Sequence, residues 1–329
     1  MYKKMKEYVA EFTDQLNASL DIASEFEWKN IPDFDNILIC GLGGSGIGGT
    51  ILSNLIDDHC SVPIVSSKDY SIPGFVGENT LVIACSYSGN TEETLEALNE
   101  AVIRQAHIAC ISSGGALAAA AADRNWPIIE LPGGIPPRAA LAYSLIQLFK
   151  LASVLELTSE DWEEEVRNAI KYLDEHDDQI STTARQLAES MSAKTPVIYS
   201  SGWLEGVAVR WQQQINENSK KLAWTNVYPE MNHNELVGWR NENHDLAVVF
   251  LTSNFDHDRV VRRMELTESV YVKYTPHIHH CKAEGDSMIE QALYLIHLGD
   301  WMTVHMADIT GADAIEVDVI DWMKGELAG

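Results

Sequence analysis

Short apolar runs alternate with longer amphipathic stretches along most of the chain. Asn36–Cys40, 62–66, 80–85, His107–Ser112 and 126–131 are brief, apolar and partly β-branched, which predicts buried strands. After the third of them, Leu95, Leu98 and Val102 recur at i, i+3 and i+7, with Glu92, Glu93, Glu96 and Glu100 between them. That spacing predicts an amphipathic helix with acids in its first turn, and Asn90 with Glu93 reads as a capping pair. Residues 50–56 and the alanine-rich 116–122 predict two more helices. Met5, Tyr8, Val9, Phe12, Leu16 and Leu20 share one face of a helix spanning about 2–26.

The run 139–155 is interrupted by Tyr143, Ser144, Gln147 and Lys150, so it reads as a buried helix or a subunit contact. Residues 156–192 are charged and helical, and acid-rich pieces such as Glu163, Glu164 and Glu165 read as solvated faces of a connector. A second alternation follows: strand 196–200, helix 204–221, strand 245–251, a helix from about Asp256, an edge strand 277–282 and a long helix 287–310. This order predicts an α/β protein built from two doubly wound, mainly parallel sheets in tandem. The domains are 1–155 and 156–329, with ligands at the carboxyl ends of the strands. The halves echo each other in element order, a coarse internal repeat.

Composition narrows the function classes. A chain of 329 residues with 46% apolar content supports two cored domains. A formal net charge of -26 argues against a nucleic-acid partner, and it leaves any anionic ligand to local dipoles and a few placed cations. The five scattered cysteines, three of them in apolar runs, suggest reduced thiols in a cytoplasm. Neither a signal-peptide pattern nor an 18-residue apolar span appears, so no membrane association is expected.

Chemistry concentrates in two turns. Ser86-Tyr87-Ser88-Gly89-Asn90-Thr91 joins a strand to a helix N-terminus, where hydroxyls and free N–H groups suit an anion, although such residues also fill ordinary turns. Gly41-Leu42-Gly43-Gly44-Ser45-Gly46 satisfies G-x-G-x-x-G, but the next strand ends in Ser66-Ser67-Lys68, where a nicotinamide enzyme places an acid. Glycines that merely permit close packing are the plain alternative. Two such loops on neighbouring strands would enclose one compact phosphate.

Arg138, after Pro136-Pro137, sits at a helix start where a cation opposes the dipole. It reads as a surface ion pair or as a stabiliser of negative charge on a reacting oxygen. Glu217, between Asn216 and Asn218, is by itself an ordinary helical glutamate. His233 sits in a polar loop, and Lys324 near the carboxyl end would usually serve solubility. His277, His279 and His280 have no supporting cysteine or carboxylate pattern, so no metal is expected.

Taken together, Gly43-Gly44-Ser45-Gly46 and Ser86–Thr91 resemble the sugar-phosphate loops of sugar isomerase (SIS) domains. Pro136-Pro137-Arg138, Asn216-Glu217-Asn218 and Pro229-Glu230-Met231-Asn232-His233-Asn234-Glu235 resemble one branch, the bifunctional phosphoglucose/phosphomannose isomerases. The resemblance spans the chain and implies two SIS-type domains and a hexose 6-phosphate substrate, gripped by Gly44, Ser45, Ser86, Ser88 and Thr91. It further implies Glu217 as the base between C1 and C2, His233 and Lys324 as ring-opening groups, and Arg138 against the enediolate. No cofactor follows from it. His233 is expected from a partner subunit, hence a homodimer with composite sites. A sugar-phosphate sensor without catalysis and a nicotinamide dehydrogenase remain as alternatives.

Overall fold

Each half of the chain builds one parallel sheet, and the computed structural model describes residues 4 to 327. The first half runs α1 (Met5–Ala10), α2 (Phe12–Glu25), β1 (Asn36–Cys40), α3 (Gly43–Ile56), β2 (Ile64–Ser67), β3 (Thr80–Ser86), α4 (Glu92–Ile103), β4 (His107–Ser112), α5 (Gly115–Arg124), β5 (Ile128–Glu130) and α6 (Leu141–Val154). The second runs α7 (Trp162–Met191), β6 (Thr195–Ser201), α8 (Glu205–Ser219), β7 (Trp224–Tyr228), β8 (Leu246–Thr252), α9 (Asp258–Tyr271), β9 (Ile278–Lys282), α10 (Met288–Thr310) and α11 (Asp318–Leu327).

The strand orders are β2-β1-β3-β4-β5 and β7-β6-β8-β9, with every pairing parallel. Both sheets therefore wind outward in two directions from their first strand. That reversal opens a crevice at the carboxyl ends, between β1 and β3 in the first sheet. The register pairs Cys40 with Ala84 and Ser86 with Ser112, which brings the turns after β1, β3 and β4 to one edge.

Every residue of β3 is buried, as a strand covered on both faces requires. Helix α6 is buried on all sides within its own chain, so the apolar run 139–155 is a core helix. One apolar cluster joins the two halves, through Leu16, Ile51, Leu145, Trp162, Trp211 and Leu295 among others. No helix among the described residues is long and apolar enough to cross a membrane.

Three local expectations need correction, and one strand, β7, was not expected. The N-terminal helix breaks at Glu11 into α1 and α2. The glycine-rich run lies inside α3, which starts at Gly43 rather than at 50. Tertiary packing overrides the low helix propensity there, because a Cβ on Gly44 would sit 2.7 Å from the Pro137 carbonyl oxygen. Strand β7 gave no apolar run, since Thr225 and Asn226 on this edge are only half-buried. In α7 the charge of Asp177 turns inward: its Oδ1 lies 2.9 Å from His297 Nε2 and accepts from Trp301 Nε1 at 3.0 Å.

Candidate active site

The two hydroxyl-bearing turns form a single cradle. Ser86 Oγ and Thr91 Oγ1 share a hydrogen bond at 2.9 Å, and the Tyr87 N–H donates to Ser45 Oγ at 3.0 Å. Ser45 is buried in the first turn of α3, while Ser88 is exposed at the tip with its Oγ accepting from the Asn90 N–H at 3.3 Å. The amino ends of α3 and α4 meet here, and both favour an anion.

A third turn, 112–115, wraps the second. The Tyr87 carbonyl accepts from the Ser113 N–H at 3.0 Å and from Ser113 Oγ. Gly89 has φ +68°, and a Cβ there would strike the Gly114 carbonyl. The Asn90 side chain accepts from the Ala116 N–H at 3.0 Å and donates to the Ser88 carbonyl. The expected Asn90–Glu93 capping pair is therefore replaced by a tie to α5, and Thr91 stands at the cap position of α4 with its hydroxyl turned to Ser86 rather than to the helix N–H groups.

Tyr87 also reaches the charged part of the site. Its hydroxyl donates to the Pro132 carbonyl at 2.6 Å and accepts from the Ile135 N–H at 3.3 Å. That brace holds the chain leading into Pro136-Pro137-Arg138, whose turn lies against Gly44.

Arg138 is 5% exposed, in the turn before α6, where its backbone is screened from solvent. Its Nη1 lies 3.4 Å from Glu217 Oε2, Nε donates to Asn218 Oδ1 at 2.8 Å, and Nη2 donates to the carbonyls of Ala314 and Ile315. Burial pulls the guanidinium below the usual arginine range, while Glu217, Glu316 and Asp313 act in the opposite sense. Glu217 occupies the last turn of α8 with 29% of its side chain exposed, beside an apolar groove of about 360 Å³ lined by Leu222, Val319 and Ile320. A continuous line thus runs from Ser86 through Ser45 and Gly44 to Arg138 and Glu217.

His233 and Lys324 stand outside that line. His233 is exposed at the end of the turn after β7, and Lys324 lies on α11, none of whose residues is buried. The His233 loop is anchored two residues on, where Glu235 accepts from Tyr199 Oη, from Trp224 Nε1 at 3.2 Å and from Asn226 Nδ2 at 2.7 Å. Among the described residues no group of three His, Cys, Asp or Glu side chains is placed to hold a metal ion.

Residues 180–327 match the family model of the bacterial phospho-glucose isomerase C-terminal SIS domain. A bifunctional phosphoglucose/phosphomannose isomerase from Caldicellulosiruptor bescii is 35% identical over 336 residues, covering 98% of this chain and 99% of the relative. The chain belongs to the bifunctional phosphoglucose/phosphomannose isomerase family. A second relative of that name, from Aquifex aeolicus, is 36% identical over 311 residues, 92% of this chain and 95% of its own length. The fold extends further. The solved C-terminal domain of glucosamine-fructose-6-phosphate aminotransferase from Francisella tularensis superposes with a TM-score of 0.76 over 96% of this chain and 99% of that one, at 17% identity.

Within this phosphoglucose/phosphomannose isomerase family member, residue patterns alone missed three contributors. Tyr87 stands between two serines and has no distinguishing pattern in the sequence. Ser113 belongs to Ser112-Ser113-Gly114-Gly115, a strand-to-helix turn with the same composition as the other two, and that likeness was a usable signal. Asn218 stands in the Asn216-Glu217-Asn218 motif, which by itself assigns it no role.

Proposed function

We propose that this protein interconverts glucose 6-phosphate and mannose 6-phosphate with fructose 6-phosphate by proton transfer through a cis-enediol(ate). The observation that carries the reading is the Arg138–Glu217 pair set against the serine cradle by way of Gly44. In this reading residues 1–155 supply the phosphate grip through Gly44, Ser45, Ser86, Ser88 and Thr91. Residues 156–329 supply the base and the ring-opening groups.

Glu217 removes the C2 proton and returns it to C1. A carboxylate suits this task because the transfer reverses at each half-step. As Glu217 takes the proton, negative charge moves to the sugar oxygen, and Arg138, already paired with Glu217, faces the charge in either place. Mannose 6-phosphate and glucose 6-phosphate differ only at C2, so both give one enediol. The transfer between adjacent carbons requires neither metal nor nucleotide. His233 and Lys324 assist ring opening, His233 arriving from a second copy of the chain. Support for that homodimer comes from the exposure of His233 and from the apolar Val319, Trp322, Met323 and Leu327 left open on α11. The enzyme works in the cytoplasm, within glycolysis and gluconeogenesis.

A coupled assay on purified protein tests this. Fructose 6-phosphate should be converted to both aldoses, and Glu217→Gln should lower kcat by about 100-fold or more, the usual weight of a general base. Wild-type turnover in Glu217→Gln would overturn the assignment.

A further inference from the structure

A polar stripe runs through the otherwise apolar seam between α8 and α10. Arg210, Gln214 and Asn218 repeat every four residues on α8, so they share one helix face. That face meets Asp300 and Thr303 of α10, and all five residues are almost fully buried. Asp300 accepts from Arg210 Nη2 at 2.6 Å and from Gln214 Nε2 at 2.9 Å. A buried ion pair of this kind is a weak source of stability, because desolvation offsets the attraction, so its presence here calls for another reason.

The network ends on both sides of Arg138. Arg210 Nη2 also donates to the Arg138 carbonyl at 3.1 Å, holding its backbone. At the other end Thr303 Oγ1 donates to the Asp300 carbonyl at 2.9 Å, and its lone pair accepts from Asn218 Nδ2 at 2.9 Å. That orients the amide with its oxygen toward Arg138 Nε, 2.8 Å away. Every bond in the relay has a fixed direction.

We propose that Asn218, oriented by Thr303, is the positioning residue that aims the Arg138 guanidinium at Glu217 and at the enediolate. The proposal rests on the assignment of Glu217 as the base. The neutrality of Asn218 matters as much as its reach. Arg138 faces Glu217 from α8 and Glu316 and Asp313 from the segment before α11. An amide adds an acceptor without a further charge, whereas a carboxylate at 218 would neutralise the guanidinium before the sugar oxygen becomes negative.

The test is steady-state kinetics on fructose 6-phosphate with the full-length chain, each variant first checked for wild-type circular dichroism. Asn218→Asp should lower kcat about 30-fold or more with KM within about threefold, since charge stabilisation is lost in the transition state and phosphate binding is untouched. Thr303→Val removes the orienting hydroxyl and should lower kcat about fivefold, with Thr303→Ser restoring it. If Asn218→Asp does not fold, the Thr303 pair decides. Wild-type kcat in folded Asn218→Asp or in Thr303→Val overturns the proposal. Glu217→Gln in the same assay separates the two readings. If it is inactive while Asn218→Asp is normal, only the positioning role fails; if it is active, the base assignment falls and the positioning role falls with it.

Discussion

The carboxyl ends of the two sheets begin from the same winding and end with opposite electrostatics. In the first sheet, the turn after β3 presents Ser86, Ser88 and Thr91 beside Ser45. In the second, the turn after β8 supplies its own anion. Asp256 is 8% exposed and accepts from Ser201 Oγ, from Trp203 Nε1 at 2.9 Å and from the Ser253 N–H at 2.8 Å. Counted back from the start of the following helix, Asp256 matches Asn90, the amide that ties the first cradle to α5. One carboxylate therefore satisfies the donors that a bound phosphate would otherwise engage. A repeated fold thus sets where an anion site can form, and a single side chain decides whether it stays open. In a chain of net charge -26, an occupied second cradle also favours the proposal that a dianion binds at the first.

The strongest test transfers the difference. Ser45→Asp places a carboxylate in the open cradle, and like charges about 4 Å apart at a protein surface repel by about 4 kcal/mol. The KM for fructose 6-phosphate should rise about 100-fold or more, measured in the coupled assay, and an unchanged KM would break the comparison. The reverse change, Asp256→Ala, leaves Ser201, Trp203 and Ser253 without their acceptor. It should cost about 3 kcal/mol in urea unfolding, with KM unchanged wherever the protein is folded. A raised KM would mean that the second cradle takes part in substrate binding.

Ser45→Ala is milder. It should raise KM roughly tenfold and cost about 1 kcal/mol, because Tyr87 N–H loses its partner. The smallest effect concerns Asp177. The hydrogen bond with His297 holds its carboxyl below the usual aspartate range, against the opposing pull of burial. A depressed folded value contributes stability that is complete above the unfolded value, about 3.9, and is lost as pH falls through the folded one. Asp177→Asn should therefore flatten the acid side of a stability-against-pH curve below about pH 4. At pH 7 its cost should stay under about 1 kcal/mol, since 40% of the side chain is exposed to screening solvent.

Much of the architecture was legible because it is written in short-range periodicity. β1 and β4 begin and end where the apolar runs do, and α10 starts at the Ser287 cap, whose side chain accepts from the Glu290 N–H. The remaining features lack a local signature in the residue order. Strand β7 is a half-buried edge, and α3 runs through glycines that no propensity argument would make helical. Asp177 lies within the acid-rich connector and looks like its solvated neighbours until His297 is seen against it.

From residue order alone come the α/β class, the tandem repeat, the two serine-bearing turns and, through a family resemblance, Arg138 and Glu217 as candidates. Only the folded chain decides that these two, 79 positions apart, form a pair, that Asn218 fixes the guanidinium from behind, and that Asp256 closes the second cradle. The reason is physical. Helix and strand periods are set by backbone geometry within a few residues, whereas the partner of a buried charge is chosen by whichever distant group the packing brings within about 3 Å, and no short-range pattern encodes that choice.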